Sequence, residues 1–229
     1  FEEDTVTAAE LGGEVKKIVC ENDTYLARAV IIATGAHHRK LGAKGEEILT
    51  GAGISYCATC DGAFFKGKTT EVIGGGDVAI EDAIFLARMC SKVYLIHRRD
   101  ELRGAKSLQN RLMSLDNVEV IWDTVVEEIV GSDKVEALKL NNKKTGEKSE
   151  LKVDGVFVAV GIEPDSGQYA GQVETDNQGY IIAGEDGRTS VDGVFAAGDV
   201  RTKALRQIIT AAADGANCIT SAQSYLTRI

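Results

Sequence analysis

One stretch limits the fold more than any other: a short buried strand at 71–73 runs into Gly74-Gly75-Gly76, and 77–90 then carries Ala79, Ala83, Leu86, Ala87 and Cys90 at helical spacing. Strand, glycine turn and helix in that order make the first half of a dinucleotide-binding unit. Gly74 permits the tight bend, Gly76 lets backbone approach a pyrophosphate, and the small Ala79 allows close packing of helix on strand, with Gly75 a further candidate cofactor-binding residue of the turn. Asp77 opens the helix as a candidate cap, followed by Val78. A purely structural turn would also explain three glycines, so the flanking chain has to decide. A second strand fits 92–97, and at its end, where an NAD site places a ribose-binding acid, stand His97-Arg98-Arg99-Asp100-Glu101-Leu102-Arg103. Guanidinium forks there suit a 2'-phosphate, which implies NADPH; the alternative is a solvated basic patch opposed by Asp100 and Glu101.

The rest of the chain continues the alternation. A buried strand is expected over 29–35, a helix over 105–115, and further strands over 118–122, 156–161 and 193–199, the last leading into a long helix over about 206–226. Between them, 125–130, 135–140 and 149–153 read as an antiparallel meander with a polar turn at 141–146. With 229 residues, 44% of them apolar, two α/β cores are expected, since units of this kind take roughly 100 to 150 residues each. No apolar run of about 18 residues and no charged-then-apolar leader is present, so a soluble, cytoplasmic protein without a membrane span is expected, although the chain begins with Phe1 and not Met. A net charge of -9 argues against a nucleic-acid surface and for small anions or proteins as partners.

Five cysteines fall into two groups. Cys20, Cys90 and Cys218 lie singly in apolar segments and read as buried residues. Cys57-Ala58-Thr59-Cys60 is a pair that can close a small reducible ring, its thiolate stabilised if it stands at a helix start. The metal reading lacks ligands: there is no second pair, and His37, His38 and His97 do not form a zinc spacing, so no metal is expected. Asp61 is either a proton donor for exchange or an ordinary turn residue.

Taken in order along the chain, Cys57 to Cys60 with Asp61-Gly62, the turn at 74–79, the His97-Arg98-Arg99 box, Gly161-Ile162-Glu163-Pro164 and Phe195-Ala196-Ala197-Gly198-Asp199 with Arg206-Gln207 closely resemble the bacterial-type, low-molecular-weight thioredoxin reductases. The resemblance implies two Rossmann-like FAD/NAD(P)-binding domains of three-layer ββα form, with a nicotinamide domain at 38–162 inserted into a flavin domain at 1–37 and 163–229. It implies electron flow from NADPH through FAD to the Cys57/Cys60 pair and on to the disulfide of thioredoxin, with Asp61 as the acid of the exchange. Flavin contacts would come from Thr34, Gly35, Gly198, Asp199, Arg206, Gln207 and Ile208, although read alone Asp199 would be a cap and Arg206 a surface charge. Family enzymes are homodimers in which one lobe rotates against the other, and the crossings at 35–38 and 161–164 are the candidate hinges.

The chain departs from the family where an N-terminal strand and Gly-x-Gly-x-x-Gly turn for the ADP half of FAD would stand, which implies an N-terminally incomplete chain with weak flavin retention. Ile208 replaces a frequent alanine and Lys44 a frequent proline. Two rivals share these motifs: the flavoprotein reductase of an alkyl hydroperoxide system, and a noncatalytic NADPH-binding fragment. A ferredoxin-dependent relative would have no use for Arg98, Arg99 and Arg103.

Overall fold

The structure, a computed structural model, describes residues 1–228. Strands β1 (Val6–Glu10), β2 (Lys16–Cys20), β3 (Thr24–Ala27), β4 (Val30–Ile32) and β5 (Ala36–His38) come first. They are followed by β6 (Ile54–Ser55), β7 (Thr69–Gly74), β8 (Lys92–Ile96), β9 (Val118–Ile121), β10 (Thr124–Val130), β11 (Ala137–Asn142), β12 (Lys148–Lys152) and β13 (Gly155–Ala159), and last by β14 (Ile162–Pro164) and β15 (Val194–Ala196). The helices are α1 (Glu46–Leu49), α2 (Ala58–Asp61), α3 (Asp77–Ala87), α4 (Lys106–Met113) and α5 (Ile208–Leu226). Two compact units result: His38–Gly161 forms one, and Phe1–His37 with the chain from Ile162 onward forms the other.

In the unit His38–Gly161 an all-parallel sheet runs in the order β6-β13-β7-β8-β9. A parallel sheet needs cover on both faces, and the period-2 alternation of its strands supplies an apolar side chain to each. Val72, Val93, Leu95 and Phe157 pack with Ala79, Ile80, Ala83 and Leu86 of α3 and with Leu112 of α4. Ile73, Ile96, Val156 and Val158 meet Val126, Ile129, Leu138 and Leu140 of the antiparallel sheet β10-β11-β12. The meander expected over 125–153 is therefore the third layer of this unit.

The other unit pairs β4 with β15 in parallel. Val194 and Ala196 join a core with Ala9, Leu11, Ile32 and Ile181, while Phe195 and Ala197 turn toward Cys218, Ala222 and Tyr225. Alternate residues of one strand thus serve an antiparallel sheet, β1-β2-β3, and the helix α5. The crossings β5 and β14 pair with each other. Among the described residues no helix is long and apolar enough to cross a membrane.

Several expectations shift. The strand over 29–35 shortens to Val30–Ile32, and the helix over 206–226 begins at Ile208, because Gln207 is its cap, in reciprocal hydrogen bonding with Thr210. The cap of α3 is Gly76 and not Asp77, whose side chain is used elsewhere. Cys90 and Cys218 are buried as expected, whereas Cys20 is only half-buried.

Glu71 is at odds with its strand. It lies in the middle of β7, 0% exposed, and neither carboxylate oxygen has a hydrogen-bond partner. Burial pushes its carboxyl well above the usual range. A folded-state pKa above the unfolded one gives stability that is complete below the unfolded value and is lost as pH rises through the folded value. Glu71→Gln is therefore expected to gain stability over the parent on going from pH 5 to pH 8, read as a widening gap between urea midpoints. Parallel curves across that range would show that Glu71 is charged and accommodated.

Candidate functional site

Cys57 and Cys60 form a disulfide, with Cα atoms 5.3 Å apart. Local backbone explains the arrangement: Cys57 caps α2, and its Sγ accepts the Cys60 N–H at 3.2 Å while standing 3.4 Å from Thr59 Oγ1. A peptide N–H directed at sulfur stabilises a thiolate there once the bond is opened. Cys57 is half-buried and Cys60 exposed, so a protein partner can reach the bridge. Asp61, half-buried, accepts from Ser55 Oγ at 2.6 Å, and Ser55 Oγ in turn accepts the Cys57 N–H at 3.0 Å. Ser55 carries no motif in the sequence; its place at the end of β6, two residues before Cys57, is the only signal it leaves. Among the described residues no group of three or more His, Cys, Asp or Glu is placed to hold a metal ion.

In the same unit a cavity of about 380 Å³ opens at the C-terminal ends of β7, β8 and β13. That is where open parallel sheets bind ligands, at the strand from which the chain order runs off in both directions. Gly74, Gly75, His97, Arg98 and Arg103 line it. Gly74 has no room for a side chain, since a Cβ would come within 2.5 Å of both Ala159 O and Ala79 Cβ. A Cβ on Gly75 would stand 2.2 Å from the His97 ring, so the imidazole fills that space. Burial lowers the His97 pKa, and its Nε2 is buried without a partner. Nothing lies within 4 Å of the Cβ position of Gly76, leaving the turn open to a phosphate.

The basic box splits. Arg98 and Arg103 line the cavity, and Arg103 N–H donates to Gly75 O at 2.7 Å, tying the loop to the glycine turn. Arg99 is not part of the lining; its carbonyl accepts the Asp123 N–H. Asp100 is paired with Lys144 at 3.0 Å, a hydrogen bond that holds its carboxyl below the usual range, so it does not serve as the counter-charge of the arginines. Asp77 accepts the Ala105 N–H at 2.7 Å, fastening the far end of the same loop to α3, and Val78 is exposed outside the cavity.

The residues expected at a flavin lie in the other unit and come together there. β4 and β15 are parallel neighbours, with Ala197 N–H donating to Ile32 O at 2.9 Å, so Thr34-Gly35 and Gly198-Asp199 leave the sheet at the same end. Thr34 Oγ1 donates to Asp165 O at 2.6 Å. The start of α5 is close, because the Cβ position of Gly198 is 3.5 Å from Ala211 Cβ. Asp199 Oδ1 and Arg206 Nε are buried without partners, and the Arg206 guanidinium lies 4.1 Å from the centre of the Tyr180 ring. Ile208, the first residue of α5, is 91% exposed. Buried polar atoms are normally satisfied, so an unpaired acceptor beside a helix N-terminus fits the ribityl hydroxyls and polar ring edge of a flavin.

Comparison with known proteins agrees. The family model for pyridine nucleotide-disulphide oxidoreductases matches residues 3–215. Thioredoxin reductase of Listeria innocua is 49% identical over 219 residues, covering 95% of this chain and 69% of that protein. Thioredoxin reductase of Bacillus subtilis is 46% identical, with the same shares covered. The crystal structure of thioredoxin reductase from Streptococcus pyogenes superposes with a TM-score of 0.92 at 46% identity, covering 99% of this chain and 74% of that one.

Proposed function

This chain belongs to the pyridine nucleotide-disulphide oxidoreductase family, among its thioredoxin reductases, and on that premise we propose how its residues divide the work. It is an NADPH-dependent thioredoxin-disulfide reductase with FAD as its flavin. The observation that carries the reading is that the Cys57–Cys60 bridge and the arginine-lined cavity are built into one unit. We assign 38–162 to the nicotinamide domain and 1–37 with 163–229 to the flavin domain.

NADPH supplies the hydride, and FAD carries the two electrons between it and the disulfide. Arg98 and Arg103 bind the 2'-phosphate, the turn at Gly74 to Asp77 receives the pyrophosphate, and His97 keeps that turn in shape from behind Gly75. Thr34, Gly35, Gly198, Asp199, Arg206, Gln207 and Ile208 hold the flavin. Reduction opens Cys57–Cys60 to a dithiol. One of its thiolates attacks the thioredoxin disulfide, displacing a thiolate and forming a mixed disulfide. The other then attacks that bond, which restores Cys57–Cys60 and frees the reduced partner. Asp61, held by Ser55, delivers the proton that the displaced thiolate needs. The same reading makes the protein a cytoplasmic homodimer, which sedimentation of the purified chain tests.

The decisive measurement supplies the chain with FAD, NADPH and oxidised thioredoxin and counts thiols against NADPH consumed. Two new thiols per NADPH are expected; NADPH loss without thiol formation would sink the reading. Arg98→Ala and Arg103→Ala should each raise KM for NADPH about tenfold or more and leave NADH unchanged, because each removes a charge-assisted hydrogen bond to a phosphate that NADH lacks. Equal losses with both nucleotides would detach the arginines from the 2'-phosphate.

A further inference from the structure

We propose that Arg39 is a positioning residue for the dinucleotide, gripping its pyrophosphate from the side of the glycine turn opposite to Arg98 and Arg103. The inference rests on the assignment of the cavity to NADPH and adds a contact from outside the dinucleotide-binding turn and its basic box.

The sheet order carries the argument. β8 flanks β7 on one side and β13 on the other. A dinucleotide lies across this switch point with its adenosine ribose over the second strand of the unit, its pyrophosphate on the glycine turn, and its other nucleotide beyond. Arg98 closely follows the β8 end and serves the adenosine side. Arg39 belongs to the β13 side: its N–H donates to Gly161 O at 3.0 Å, just past the end of that strand.

Gly161 has a φ of +126°, and a Cβ there would stand 3.3 Å from Arg39 Cδ and 3.7 Å from Nε. The arginine stem therefore runs across the glycine before its side chain lines the same cavity as Gly74 and Gly75. Its neighbours in that wall, Leu41, Ala159 and Val160, are apolar. Arg39 thus brings a planar, permanently charged fork to the part of the cavity where both NADPH and NADH carry phosphate.

This placement gives Arg39 a signature different from that of the basic box. Binding of NADP+, NAD+ and 2'-AMP to the full chain is measured by calorimetry without turnover, for the parent, Arg39→Leu, Arg39→Lys and Arg103→Leu. Arg39→Leu should weaken NADP+ and NAD+ by the same factor, about tenfold, leave 2'-AMP unchanged, and be partly rescued in Arg39→Lys. Arg103→Leu should weaken NADP+ and 2'-AMP and spare NAD+. Parent-like binding of both dinucleotides by Arg39→Leu overturns the proposal. So does a loss confined to NADP+ and 2'-AMP, which would move Arg39 to the 2'-phosphate, or an equal loss for all three ligands, which marks a merely structural role. If the parent chain binds none of the three, the assignment of the cavity itself fails, together with what rests on it.

Discussion

Cys57→Ser is expected to lower thioredoxin reduction by a factor on the order of 10⁴ or more, since removing the reacting group of a catalytic unit costs most of its rate. NADPH affinity should stay within about twofold, because the nucleotide is held through charge-assisted contacts that do not involve the sulfurs. Two electrons can be stored in this unit only by opening a bond between two sulfurs, and an oxygen at one end closes no such bond. Misfolding would not account for the loss. Cys57 caps α2 by accepting the Cys60 N–H at 3.2 Å, and serine is a preferred residue for that position, so the substitution keeps the local hydrogen bond. Thiol counting and nucleotide calorimetry on the same preparation separate the two readouts. Reduction that survives at a tenth of the parent rate would mean that electrons reach thioredoxin without this bridge.

Much of the nicotinamide-side architecture is legible in the sequence because its signals are local. The glycine turn needs Gly74 and Ala79 for contacts that three short elements make with one another, and the basic box directly follows its strand. The meander is likewise readable from alternation and a polar turn. What the sequence hides is contact between distant segments. Asp77 looks like a cap but is engaged by Ala105, and Asp100 looks like the partner of neighbouring arginines but is held by Lys144, far along the chain. Arg39 carries no motif at all; only pairing with Gly161 brings it to the cavity. β1, β2 and β3 leave no clear mark in the sequence because their side chains are largely exposed or half-buried, which blurs the alternation that identifies a strand. Glu71 hides its depth for another reason: the sequence places it in the strand at 71–73, but nothing local shows that its carboxylate is fully buried at the centre of the sheet.

The second large effect is expected at Asp214, and it joins stability to the flavin side. Asp214 is 5% exposed on α5 and accepts from Gly198 N–H at 2.9 Å, from Arg201 Nε at 2.9 Å and its terminal nitrogen at 2.6 Å, and from Lys203 Nζ at 2.7 Å. Burial works to raise its pKa, but the hydrogen bonds from Arg201, Lys203 and Gly198 outweigh it and hold the carboxyl at about 2. A depressed folded-state value gives stability that is complete above the unfolded carboxylate pKa and is lost as pH falls from about 4 toward 2. Removing the carboxylate leaves Arg201, itself 3% exposed, with only the solvent-exposed Glu185 at 3.7 Å, and strips the buried Lys203 ammonium of its Asp214 partner, so Asp214→Leu should cost about 3 to 5 kcal/mol in urea unfolding at pH 7. Combining it with Arg201→Met and Lys203→Met should recover most of that loss, because apolar packing replaces a buried ion cluster with little net change. The cluster also ties the turn holding Asp199 to the first half of α5 through Gly198. A triple variant restored in stability should therefore still bind FAD more weakly than the parent, the turn having lost its anchor. Full flavin affinity in that variant would show that packing alone positions Asp199, and a single-variant cost below about 1 kcal/mol would place the cluster among ordinary surface pairs.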